Sequence, residues 1–247
     1  MVRGIDIFQD YFSKYQNQYV LIGGAACDIS FQENDAEFRA TRDLDIVLIV
    51  EALTPEFGEK FWQFINDGGY QNRAKSSANP QFYRFDKPMN VSFPMMIELF
   101  SRADFILQQD SVVTPIHIDD DVSSLSAILL DDDYYETLLK GRRIVNGISI
   151  LAPLYLIAFK AKAWLDLNDK KQKGHHVDSK DVKKHKNDVL RMATLLIPGD
   201  RCELPETVQS DMSLFIENLD VIPSDLKNLK IPVKVDDLIR VLKETYL

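Results

Sequence analysis

The sequence predicts an α/β fold in its N-terminal part and an all-helical C-terminal part, with the boundary near residue 150. Three observations predict it. Residues 19–22 (YVLI) and 44–50 (LDIVLIV, apolar apart from Asp45) are apolar runs of strand length, rich in β-branched residues. Asn146-Gly147 stands between two further apolar runs, which is the signal of a type I′ hairpin. After Pro153 the apolar residues fall at spacings of three and four, as helices require. The expected domains are 1–150 and 151–247.

In order along the chain, residues 5–15 carry the spacing of a short helix. The strand at 19–22 stops at Gly23-Gly24, and 25–32 can begin a helix. Residues 33–42 (ENDAEFRATR) are polar and predict a loop. After the strand at 44–50, residues 55–66 predict a helix, with Pro55 in its first turn and Gly68-Gly69 as its stop. Strands are expected at 81–85 (QFYRF) and 95–101 (MMIELFS), with weaker candidates at 115–118 and 126–130. A helix at 132–140 leads into the hairpin. Helices follow at 153–167, 179–197, 206–218 and 234–246, and 168–178 (NDKKQKGHHVD) predicts a mobile loop.

Composition excludes several classes. Hydrophobic residues make up 45% and charged residues 27%, a globular balance that rules out a disordered or fibrous chain. No apolar run approaches the roughly 18–20 residues of a membrane span. The N-terminal MVRGIDIFQDYF has no apolar core of a signal peptide. Cys27 and Cys202 form no CxxC pattern, so a thiolate zinc site and a disulfide framework are not expected. The expected setting is a reduced cytoplasm, with no membrane partner. Net charge is −9, yet residues 160–191 hold ten Lys/Arg against five Asp/Glu. An anionic partner would be met there.

Three features carry chemistry. A strand ending in Gly23-Gly24 before a helix start lets backbone N–H groups approach a phosphate; Gly-Gly after a strand is also a plain turn. Asp43 and Asp45 alternate with Leu44 and so project from one strand face. Two such carboxylates repel unless a cation joins them, and Mg²⁺ takes oxygen ligands of this kind; the bland alternative is a solvated strand end. Glu98 lies inside the apolar run 95–100 (MMIELF), where a lone carboxylate is costly unless paired or metal-bound, or on the wet face of an edge strand.

Together VLIGG, TRDLDIVL and MIELF resemble the DNA-polymerase-β-like nucleotidyltransferase superfamily. Eighteen residues separate Gly24 from Asp43, more than in compact members. With Arg39 and Thr41 ahead of the aspartates, that spacing looks like the AbiEii/AbiGii toxin-type branch. The resemblance implies a mixed sheet flanked by helices. It implies two Mg²⁺ ions on Asp43, Asp45 and Glu98, and an NTP substrate bound near Gly23, Gly24 and Thr41. That branch also carries a lysine and then an aspartate on later helices. Lys160 and Lys162 both qualify. Lys160 shares an apolar stripe with Leu156, Trp164 and Leu167, so its ammonium should have a buried or anionic partner, and it is the expected phosphate contact. Lys162 has Asp166 at i+4 and predicts an exposed pair. Asp188 matches the branch's aspartate, though a bridge to Lys184 explains it equally. His185 predicts a packed core histidine, and His175-His176 a polar loop.

The function expected from these residues is transfer of an NMP from an NTP to a hydroxyl acceptor. The acceptor would be an RNA 3′ end such as that of tRNA, or a small hydroxylated molecule. A role as a toxin with a cognate antitoxin goes with the branch. A catalytically silent nucleotide-binding or protein-interaction module is the rival from another class.

Overall fold

The computed structural model describes residues 2–75, 81–102, 114–115, 128–129 and 131–247. The chain forms two compact units. The first draws its described residues from Met1–Ile118 and Arg142–Ala152, the second from Asp119–Gly141 and Pro153–Leu247.

The first unit is built on strands β1 (Tyr19–Ile22), β2 (Asp43–Leu48), β3 (Tyr70–Lys75), β4 (Gln81–Pro88), β5 (Met96–Ser101), β6 (Thr114–Pro115), β7 (Arg142–Val145) and β8 (Ile148–Leu151). They form one mixed sheet in the order β6-β3-β4-β5-β2-β1-β8-β7. β2 runs antiparallel to β1 and parallel to β5. Helices α1 (Ile5–Phe12), α2 (Gly23–Gln32) and α3 (Pro55–Gly68) accompany the sheet.

Registered residues on neighbouring strands share a face. Leu44, Ile46 and Leu48 therefore lie with Tyr19, Leu21, Ile97, Leu99, Tyr83 and Phe85. Aromatic rings from α1 and α3 cover this face. Phe8 meets Tyr19 edge-on at 5.3 Å, while Phe61 and Trp62 meet Phe85 at 5.6 and 5.9 Å. Burying that many rings is the main apolar contribution to this unit.

Local chemistry explains the element ends. Thr54 caps α3 by accepting from the Phe57 N–H, Pro55 follows it, and Gly69 closes the helix at φ 63°. Asn146 (φ 47°) and Gly147 (φ 76°) both take the left-handed conformation of a type I′ turn between β7 and β8.

The sequence expectations need several corrections. β3 was not anticipated, because Tyr70–Lys75 (YQNRAK) has no strand-like apolar alternation; its pairing with β4 makes it a strand. β4 continues three residues past the expected end at 85, because its ladder with β3 runs on to Pro88. Of the candidate at 126–130, only Ile128 and Leu129 are described; Ile128 is helical and Leu129 lies in a turn, so neither is in a strand. Of the candidate at 115–118, Pro115 belongs to β6 and the rest lies outside the described residues.

The second unit is helical: α4 (Asp132–Gly141), α5 (Pro153–Gln172), α6 (Ser179–Met192), α7 (Glu206–Glu217), α8 (Pro223–Asn228) and α9 (Val235–Tyr246). α5 packs against α4, α6 and α7. Tyr134 meets Phe159 at 5.4 Å, Trp164 meets Phe215 at 5.3 Å, and the Tyr246 hydroxyl donates to the Leu154 carbonyl at 2.6 Å. α5 runs through half of the expected loop 168–178. Its last turns are polar but helix-compatible, and the Lys173 ammonium reaches back to Asp169 at 2.7 Å. α8 was missed because six residues are too few to show a period.

Neither Cys27 nor Cys202 is in a disulfide, and both are buried. Among the described residues no helix is long and apolar enough to cross a membrane.

The aromatic layer yields a stability test. Phe61 is 1% exposed and contacts the rings of Phe12, Phe57, Trp62 and Phe85. Phe61→Ala should cost about 3–5 kcal/mol, read as a lowered urea midpoint with unchanged slope.

Candidate active site

Three adjacent strands bring charged residues onto the sheet face opposite the aromatic layer. Asp45 on β2 is in register with Glu98 on β5, and Glu98 with Arg84 on β4. One step along, Asp43 is in register with Met96, and Met96 with Asp86. Alternation along each strand puts Asp43, Asp45, Glu98, Arg84 and Asp86 on this one face.

Glu98 is the most enclosed of the five, at 8% exposure. Arg84 donates to its Oε1 from Nε at 2.9 Å and from Nη2 at 2.6 Å. The Asp45 carboxyl hydrogen-bonds to Glu98 as well. Burial first, and the Asp45 charge second, push the Glu98 carboxyl up to about 8. Arg84 pulls the other way without prevailing. This direction favours the protonated form of Glu98, which lets two acidic side chains touch.

The start of α2 closes on the same place. Gly23 has φ +62°, and a Cβ there would sit 1.8 Å from Asp45 Oδ2. A Cβ on Gly24 would sit 2.4 Å from Thr41 Oγ1. The two glycines thus let the helix start press against Asp45 and Thr41, and Gly23 also supplies the left-handed turn out of β1. No side chain caps this helix start. Its positive dipole end stands beside the Asp45 carboxylate.

The expected residues Gly23, Gly24, Thr41, Asp45 and Glu98 therefore come together, with Asp43 on the same face. They stop short of the expected convergence on one metal position. Among the described residues no three His, Cys, Asp or Glu side chains stand where they could jointly hold a metal ion. Glu98 spends one oxygen on Arg84, a residue the sequence reading did not single out. The signal was present, since Arg84 interrupts the apolar strand QFYRF as Glu98 interrupts MIELF.

In the helical unit, Lys160 on α5 is buried and its Nζ lies 3.6 Å from Asp188 Oδ2 on α6. Asp188 is fully buried. The two residues expected on separate grounds are thus each other's counter-ions.

Lys162 is more than an exposed pair. It bridges Asp166 at 3.4 Å and Asp211 at 3.2 Å, and Asp211 also accepts from the Tyr134 hydroxyl at 3.0 Å. Burial would lower the Lys162 pKa, but the two carboxylates outweigh it and raise it. His185 is buried, as a packed core histidine should be, and His175 and His176 are exposed in the turn after α5.

No family model matches the chain, and no curated protein matches it. Among solved structures, the chain is similar to an antigenic nucleotidyltransferase-like protein from Paracoccidioides brasiliensis. The identity is 15%, the TM-score 0.44, and the match covers 95% of this chain and 94% of that one.

Two predictions follow from this geometry. Glu98 binds its proton more tightly folded than unfolded, so its contribution to stability is full below about 4.5 and is lost as pH rises through about 8. Urea melts across that window should show the fall, and Glu98→Gln should flatten it. Lys160→Met would leave Asp188 buried without its cation and should cost about 3–5 kcal/mol. Adding Asp188→Asn should recover much of the loss in the same melts.

Proposed function

We propose that the chain is a divalent-cation-dependent nucleotidyltransferase that moves an NMP from an NTP to a hydroxyl acceptor. The observation that carries this reading is the Asp45–Glu98 pair, pressed together beside an uncapped helix start. Two carboxylates held side by side repel unless a proton or a cation lies between them, and a divalent cation could be held there. The donors are all oxygen, which suits Mg²⁺. Asp45 and Glu98 would hold it, and Asp43, expected as a third ligand, does not stand where it could join them on one ion. Bound there, Mg²⁺ would neutralise triphosphate charge and activate the acceptor, with two ions the expected complement.

The chain's own groups fill the remaining roles. The N–H groups at Gly23 and Gly24, with the Thr41 hydroxyl, would hold phosphate oxygens. Glu98, once ionised, would accept the proton of the attacking hydroxyl. The acceptor oxygen bonds to the α-phosphorus as the bond to pyrophosphate breaks. A role for Lys160 as a cation for the phosphates rests on the sequence motifs alone.

The acceptor is proposed to be RNA, tRNA included, or a small hydroxylated molecule. Exposed Lys171, Lys173 and Lys180 around the α5–α6 turn favour RNA, and the acidic remainder of the chain favours the small molecule. Membership of the AbiEii/AbiGii branch, a cognate antitoxin and a cytoplasmic setting rest on the sequence motifs alone. A silent nucleotide-binding or interaction module is the second reading. Arg84 favours it, because its guanidinium already occupies one Glu98 oxygen.

The test is incubation with each labelled NTP, Mg²⁺ and a mixture of RNA and small metabolites. Label should move to an acceptor with release of pyrophosphate. Asp45→Asn should abolish transfer and leave thermal stability near that of the parent. NTP binding that ignores divalent cations, with no product across acceptors, would move the reading to the silent module.

A further inference from the structure

We infer that Arg84 is a positioning residue for the divalent cation, fixing the Glu98 carboxylate so that it faces Asp45. The inference rests on the nucleotidyltransferase reading and adds to it a residue that the sequence motifs do not contain. Strand order places Glu98 between Arg84 and Asp45, since β5 lies between β4 and β2. A cation shared by Asp45 and Glu98 would thus lie on the far side of Glu98 from the guanidinium. Arg84 need not leave for the cation to enter.

The hydrogen bonds point the same way. An arginine more often meets a carboxylate fork to fork, with one bond to each oxygen. Here Nε and Nη2 both close on Oε1. The contact pins the carboxylate by one oxygen. Arg84 is itself held, because its guanidinium lies 5.5 Å from the Phe82 ring centre. The Phe82 ring in turn packs at 5.0 Å on that of Phe100, its register partner. The orientation of Glu98 is therefore set by a packed column of side chains across β4 and β5. Outer groups of this kind typically account for 10–100-fold in metal affinity.

Mn²⁺ binding to the full-length chain, followed by electron paramagnetic resonance and calorimetry, tests this without recourse to activity. The parent should bind Mn²⁺, and Asp45→Asn should abolish binding. Arg84→Met should weaken binding by about 10–100-fold. Arg84→Lys should weaken it too, because one ammonium keeps the charge but cannot close two bonds on one oxygen. Unchanged or tighter binding by Arg84→Met would overturn the inference and leave the nucleotidyltransferase reading standing. If Arg84→Met does not fold, Arg84→Lys decides: affinity equal to the parent's would overturn it. A parent that binds no Mn²⁺ would overturn both.

Discussion

A carboxylate inside an apolar sheet has to be answered by something, and Glu98 is that carboxylate. Its strand neighbours Ile97 and Leu99 point into the aromatic layer of α1 and α3, which leaves Glu98 no freedom to turn toward solvent. A one-residue slip of β5 would bury the charge in that layer, so the register is strongly specified. What faces Glu98 follows from this register: Arg84 on one side and Asp45 on the other. Arg84 does not fully offset burial and the Asp45 charge, and a proton makes up the difference.

The same crowding explains the glycines. β1 must leave the sheet beside Asp45 and turn at once into α2. A side chain at Gly23 would occupy the space of the Asp45 carboxylate, and its left-handed φ would strain any other residue. Glycine here therefore serves close approach as well as the turn. The result is an acidic group, a helix start and a hydroxyl within one small volume, the kind of arrangement that can hold a phosphate and its counter-cation together.

The helical unit solves a related problem by pairing. Lys160 and Asp188 are both enclosed, and each makes the other tolerable. Such pairs add little net stability over apolar residues of like size, yet removing one partner is costly. Lys162 shows a more solvated version, with two carboxylates sharing one ammonium and a tyrosine hydroxyl donating to one of them, across α4, α5 and α7.

Periodicity and turn chemistry made much of the fold legible. YVLI, LDIVLIV, the Thr54–Gly69 helix and the Asn146-Gly147 hairpin could all be read from local residues, because caps, turns and apolar runs act over a few positions. β3 and α8 could not, since a polar strand is defined by its partners and a six-residue helix shows no period. At the site, the residue types Gly-Gly, Asp-x-Asp and an isolated Glu were determined by the sequence itself. Which of them touch was decided only by the tertiary structure. The contacts of Arg84 with Glu98 and of Lys160 with Asp188 join residues far apart in the chain. Strand order, register and helix packing set those contacts, and local sequence does not encode them.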